Sequence, residues 1–425
     1  MRLEEFYPAI RNLYGAGAAN QISRYETLIQ QFEANFKHNE WYLFSTPGRT
    51  EIGGNHTDHN HGRVLAASVN LDSIAVAAKN DRAQITIYSH GYGQPFQVDL
   101  NDLQVNEKEK GTTTALIRGI AARLKELNYP VGGFDACIHS TVLPGSGLSS
   151  SASVEVLIAM MFNVLFNASR IPAEELALIG QYAENHYFGK PCGLMDQMTC
   201  AVGGIISIDF KNALKPIVKK VPVDFKTSGY KILIVDTGGN HADLTEDYAA
   251  VPAEMKAVAA ALGKTVCREL TLTELWSKLP ELRQQTGDRA VLRCLHFLQE
   301  NERVLAQVKA LEAGKFRDFL GLVQASGDSS FKWLQNIFST KNVHEQGITL
   351  ALALSQSYCD EIQDGACRVH GGGFAGTIQV FLPESHVDDY RRRMESVFGA
   401  GKVMVLDIRP RGTVCLANLN TGKTI

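Results

Sequence analysis

Residues 46–62, TPGRTEIGGNHTDHNHG, place four glycines, three histidines, two asparagines and one each of Arg, Glu and Asp within 17 residues. This mixture offers hydrogen-bond donors and acceptors side by side, which is what sugar hydroxyls require. His56 and Asp58, at i and i+2, could also ligate a metal, but no third ligand is evident from the spacing. An ordinary surface loop is the plain alternative. A second stretch, LPGSGLSSSASVEV (143–156), sets small residues and three serines directly before an apolar run. Glycines let backbone N–H groups approach a ligand, and a helix N-terminus adds positive potential. Gly145, Ser146, Gly147, Leu148, Ser149, Ser150 and Ser151 are thus candidates to hold phosphate oxygens. The stretch is not a Walker A loop, because no Gly-Lys-Ser/Thr follows. Its plain alternative is a serine-rich N-cap on a buried helix.

A third stretch, AENHYFGKPCGLMDQM (183–198), supplies Glu184 within a helical pattern and Asp196 after a glycine-containing loop. Phosphoryl transfer needs a carboxylate for magnesium and a group that orients the attacking hydroxyl. Taken singly, the two acids read equally as a helix-surface residue and a loop N-cap. A fourth stretch, RVHGGGFAGTIQVFL (368–382), has three consecutive glycines before a strand pattern, with Gly372 at their centre. Such a backbone can lie close over a ligand, or simply turn tightly.

The elements that must carry these stretches are a mixture. Residues 1–38 read as helices with polar faces, and NEWYLFSTPGRTEIGG reads as a strand running into a loop. VLAASVNLDSIAVAAKN, AQITIYSHG, GFDACIHSTVL, GGIISIDF and YKILIVDTG read as strands, and 111–129 as a helix ending near Pro130. From about residue 240 to 365 the pattern is helical, and two further strand patterns follow. Strands and helices without regular alternation imply an α+β fold. The expected division is residues 1–215 and 216–425. The stretch 152–166 is the most apolar, but Glu155 interrupts it, as suits a buried helix.

Composition narrows the function. The chain has 425 residues, 45% hydrophobic and 20% charged, an ordinary globular balance. A net charge of −3 offers no basic footprint for nucleic acid. No run of 18 apolar residues suggests a membrane span, and the N-terminus lacks a secretory pattern. Eight cysteines with no C-x-x-C pair fit free thiols in a reducing cytoplasm. A monomer and a homodimer are both compatible with the sequence.

In their order, PGRTEIGGNHTDHN, GSGLSSSAS, CGLMDQ and GGGFAG resemble the galactokinase branch of the GHMP small-molecule kinases. The resemblance runs from about residue 40 to the C-terminus and is weakest between about 265 and 365. It implies a two-domain fold with the active site in the cleft, and transfer of the ATP γ-phosphoryl group, with Mg2+, to the anomeric hydroxyl of a hexose. It implies Asp196 as catalytic aspartate with Arg49 beside it, and Glu184 and Ser150 on the magnesium side. His56, Asp58, Gly193 and Tyr248 match positions lining the sugar pocket, and 371–373 would close the site from the second domain. Several positions depart from the family pattern. Asn55 stands for a glutamate and His59 for a tyrosine in the sugar motif, and VLPG replaces VPLG. His370, Ala375 and Thr377 differ in the late motif, and Val251 and Pro252 replace paired arginines. Asn55 is therefore expected to retune sugar recognition, with galactose the first choice. A uronic acid, N-acetylgalactosamine or another hexose is the alternative. A catalytically silent sugar- and ATP-binding regulator is the remaining reading. The complete GLSSSAS with Glu184 and Asp196 argues against it.

Overall fold

The computed structural model describes residues 2–142, 147–190, 192–239 and 244–420. Its strands are β1 (Tyr42–Gly53), β2 (Arg63–Lys79), β3 (Gln84–Ser89), β4 (Phe96–Asp99), β5 (Phe134–Ser140), β6 (Ile205–Asp209), β7 (Ile217–Val221), β8 (Tyr230–Asp236), β9 (Ala366–Val369), β10 (Thr377–Pro383), β11 (Val403–Leu406) and β12 (Val414–Cys415). Among the described residues they form two sheets. The larger runs β12-β1-β2-β5-β3-β4, with β6 and β7 branching from β2; the smaller runs β11-β8-β10-β9. Every pairing is antiparallel except β3 with β5. The fold is α+β, as the mixed patterns imply.

The larger sheet is covered on both faces, which explains why β1 and β2 read as nearly continuous buried runs. Helices Thr113–Glu126, Ser150–Asn167 and Ala173–Ala183 pack Leu116, Ile120, Leu157 and Phe162 onto one face. Helices Tyr7–Tyr14 and Ala18–Asn35 pack Ile10, Tyr25 and Phe32 onto the other. Helix Ser150–Asn167 is the one helix among the described residues long and apolar enough to cross a membrane, yet 72% of it is buried inside the fold. It is a core helix, and Glu155 lies on its buried side. A further core joins the two sheets, bringing Ile52, Leu65 and Leu148 against Ile232, Ile234 and Phe381.

Two irregularities in the β1–β2 ladder serve the site. The register shifts between Pro47 and Arg49, and again between Glu51 and Gly53. A bulge re-aims the side chains that follow it. Here it brings Arg49 to the serine-rich turn, where its N–H donates to the Leu148 carbonyl at 3.0 Å. Gly48 permits that approach, since a Cβ there would lie 2.9 Å from the same carbonyl oxygen.

One buried carboxylate ties the chain ends to the larger sheet. Asp72 on β2 accepts hydrogen bonds from Arg24, Arg409, Tyr14 and Ser45. Burial pushes its carboxyl up, but Arg24 and Arg409 outweigh this and leave it below its usual range. The N-terminal helices and the segment leading to β12 thus share one anchor. Asp72→Ala leaves two guanidinium groups uncompensated in the interior and costs about 3–5 kcal/mol. Denaturant unfolding measures this, and a loss below about 1 kcal/mol contradicts the anchoring role.

Candidate active site

Arg49 and Asp196 meet in a two-pronged ion pair. Arg49 Nε donates to Asp196 Oδ1 at 2.7 Å, and Nη2 to Oδ2 at 2.6 Å. Such a fork fixes both side chains in plane. The third nitrogen, Nη1, donates to the Gly147 carbonyl, and Ser149 Oγ donates to Asp196 Oδ2. Asp196 sits in the first turn of helix Met195–Val202, where the helix dipole favours a negative charge. Burial raises its carboxyl pKa, but Arg49 and Ser149 more than offset this, and the net shift is downward. The carboxylate remains 30% exposed, so part of it stays open to solvent.

Ser149 is the residue before helix Ser150–Asn167 and holds a left-handed φ of 62°. A non-glycine residue in that region is strained, and such strain clusters at functional sites. Its hydroxyl is directed to Asp196 and makes no cap to its own helix. The Ser149 side chain thus satisfies none of the first-turn N–H groups of that helix. Gly147 lies beneath His370 and Thr377 of the smaller sheet; a Cβ there would come within 2.8 Å of both. The expected contributions of Gly145 and Ser146 lie outside the described residues. Leu148 takes part through its backbone, while its side chain is buried in the core between the sheets.

Glu184 ends up on the same side. It opens a single π-helical turn, Glu184–Phe188, beyond helix Ala173–Ala183, and is 3% exposed. Its carboxylate accepts from Ser151 Oγ at 3.2 Å and from Gln197 Nε2 at 2.8 Å, with Lys190 Nζ at 3.8 Å. Ser150, expected beside a metal, immediately precedes Ser151 on the helix. Among the described residues no group of three His, Cys, Asp or Glu is placed to hold an ion alone. Gln197 and Glu155 are members of this cluster that the motif reading missed. Their signals were the glutamine of CGLMDQ and the acid that interrupts an apolar helix. Burial and the adjacent Glu184 push the Glu155 carboxyl well up.

The remaining candidates gather where the 54–61 loop meets the late glycines. His56 Nε2 donates to the Gly372 carbonyl at 2.9 Å; burial pulls the ring pKa down to about 4, so the ring is neutral. The Tyr248 hydroxyl donates to the Gly373 carbonyl at 3.0 Å. Gly372 is required there, because a Cβ would fall 2.5 Å from the Tyr248 ring. Asp58 lies against Gly193, where a Cβ would overlap its Oδ2 at 1.8 Å. Gly193 is three residues before Asp196, so this contact borders the ion pair along the chain.

Comparison with known proteins agrees with this geometry. Residues 115–204 match the family described as GHMP kinases N terminal domain, and residues 30–79 match the galactokinase galactose-binding signature. The fold is shared with a mevalonate kinase of Methanococcus jannaschii, at a TM-score of 0.61 and 15% identity, over 88% of this chain and 99% of that one. Fold and family match together define a GHMP-type kinase. A galactokinase of Glaesserella parasuis is 30% identical over 85% of this chain and 90% of its own length. One from Streptomyces coelicolor is 29% identical over 84% and 89%. The Lactococcus lactis galactokinase, solved with galactose, superposes at a TM-score of 0.78 with 25% identity, over 92% of this chain and 99% of that one. The chain belongs to the galactokinase family.

The expectation for Asn55 needs correction. Asn55 is 1% exposed. Its Nδ2 donates to Glu51 Oε1 at 3.0 Å and to the Gly371 carbonyl at 2.8 Å. Its Oδ1 accepts from Asn336 Nδ2 at 2.8 Å and Ser330 Oγ at 3.3 Å. Two donors and two acceptor positions are then all used within the protein, and none is left for a sugar. An amide suits this place because it can donate to the Glu51 carboxylate and to a carbonyl; a glutamate could do neither. Asn55→Glu therefore sets a second buried carboxylate beside Glu51 and costs about 3 kcal/mol or more of stability. If that variant unfolds like the wild type and alters sugar preference instead, the internal assignment of Asn55 is wrong.

Proposed function

We propose that this chain is an ATP-dependent sugar 1-kinase that transfers the γ-phosphoryl group of ATP to the anomeric hydroxyl of galactose. The observation that carries this reading is the Arg49–Asp196 fork, closed by Ser149 at the mouth of an uncapped helix N-terminus. Family membership supports the same substrate pair.

Each residue then has a defined task. The first-turn N–H groups of helix Ser150–Asn167, with Gly147 and the rest of the 145–151 loop, bind the triphosphate. Glu184 and Ser150 suit a hard cation that prefers oxygen ligands. One anchored carboxylate, with a hydroxyl and phosphate oxygens, is the donor set magnesium takes in kinases. Bound there, Mg2+ supplies neutralisation of the phosphate charge. Asp58, His56, Gly193 and Tyr248 surround the sugar, and Gly372 closes over it. Asp196, ionised by Arg49, orients the anomeric hydroxyl in line with the γ-phosphorus. A carboxylate held below its usual pKa range is a weak base, so it takes the proton late, when the oxygen–phosphorus bond has formed. Arg49 stabilises charge on the transferring group while holding Asp196.

We propose further that the halves divide near residue 215, with residues 409–420 returning to the first. The backbone favours a crossing slightly later than that: β7 of the larger sheet ends at Val221, β8 of the smaller begins at Tyr230, and β12 rejoins the larger. The eight cysteines are all free thiols, seven of them buried, which suits a cytoplasmic enzyme.

ADP release with a panel of hexoses tests the assignment. Galactose should give the highest kcat/KM, above galacturonate, N-acetylgalactosamine and glucose; absence of turnover with every sugar contradicts it. Asp196→Asn should lower kcat about a hundredfold or more with the fold intact. Turnover near the wild-type rate removes Asp196 from the chemistry.

A further inference from the structure

Three helices converge on one buried amide. Gln197 on helix Met195–Val202 is fully buried, and its Nε2 donates to Glu155 Oε2 at 2.9 Å and to Glu184 Oε2 at 2.8 Å. Glu155 comes from helix Ser150–Asn167, and Glu184 from the π-helical turn after Ala173–Ala183. Gly180, one turn before Glu184, makes the space. A Cβ there would lie 3.2 Å from Glu155 Cβ and 3.4 Å from Gln197 Cγ. Glycine inside a helix costs about 0.5–1 kcal/mol, so this opening is retained against local preference. Among the described residues the single amide nitrogen is the one hydrogen-bond donor to the Glu155 carboxyl, and the amide oxygen of Gln197 has no partner.

We propose that Gln197 is the positioning residue for the metal carboxylate. It fixes the rotamer of Glu184 and, through the backbone it shares with Asp196, registers that carboxylate against the catalytic ion pair. The inference rests on the reading of Glu184 as a magnesium ligand. The two hydrogens of one NH2 group hold two carboxyl groups at a set separation, a task that a hydroxyl, with one hydrogen, cannot perform. Glu155 acts as the counter-anchor: it holds the second hydrogen and so stops the amide from rotating away from Glu184. Adjacent positions 196 and 197 project from the helix about 100° apart. The amide therefore points into the buried cluster while Asp196 points at Arg49, and the helix transmits the spacing between them.

Mn2+ binding to the full chain with saturating ADP, followed by electron paramagnetic resonance, reads this directly. Gln197→Met keeps the volume and removes both donors. It should weaken Mn2+ binding about tenfold, as outer-shell partners of a metal ligand do, while the KM for galactose stays unchanged. Glu184→Gln is the reference. If Glu184→Gln weakens Mn2+ binding and Gln197→Met does not, the positioning role is overturned and the metal role of Glu184 stands. If Glu184→Gln also leaves binding unchanged, the metal reading falls and the inference with it. A rise in galactose KM with Mn2+ affinity intact likewise contradicts it. Should Gln197→Met fail to fold, Glu155→Met, which removes the acceptor of the second hydrogen, carries the test, with a several-fold weakening expected and an unchanged affinity contradicting.

Discussion

The bidentate contact between Arg49 and Asp196 is the constraint on which the site depends. A guanidinium fork and a carboxylate can meet in this way only when both backbones are fixed to within a few tenths of an ångström. Arg49 reaches its place through a bulge in β1, and Asp196 through a short helix that starts directly after Gly193. The serine-rich turn must lie against the pair, because Ser149 and Gly147 each bond to one member of it. The covered larger sheet, the buried helix behind the turn and the Asp72 anchor all serve to hold those three segments in register.

The same pair sets the electrostatics. It lowers the Asp196 carboxyl pKa, and the helix N-terminus nearby adds positive potential beside it. Ser149, the residue in the N-cap position, bonds to the carboxylate and not to its own helix. Close glycine contacts complete the arrangement. Gly193 and Gly372 are both places where a single added carbon would overlap a residue of the candidate pocket.

Much of this was legible in the sequence, because chemistry confined to short motifs survives as pattern. Alternation and β-branched runs located β2, β3, β5, β8 and β10, and the glycine- and serine-rich stretches marked the turns now found at the site. What escaped was non-local. The strand β9 has no signature in sequence, since Arg368 hardly suggests a buried strand until its partner Glu51 is seen. β7 was missed because only one of its five residues is buried. Asn55 is expected at the sugar because it stands where the sugar motif of the resembled family has a glutamate. Its partners at 330, 336 and 371 lie far along the chain, and no local pattern reveals them. Glu184 read as an ordinary helical acid, while its carboxylate is fixed by residues from two other helices.

The central claim is that Asp196, held by Arg49, directs the anomeric hydroxyl of galactose at the γ-phosphorus of ATP. Phosphorus-31 NMR of the product formed from ATP, Mg2+ and galactose tests it most directly. The account predicts one new phosphomonoester resonance, coupled to the anomeric proton of the sugar, growing in step with ADP. Inorganic phosphate as the only product, or an ester on any other hydroxyl, would contradict it.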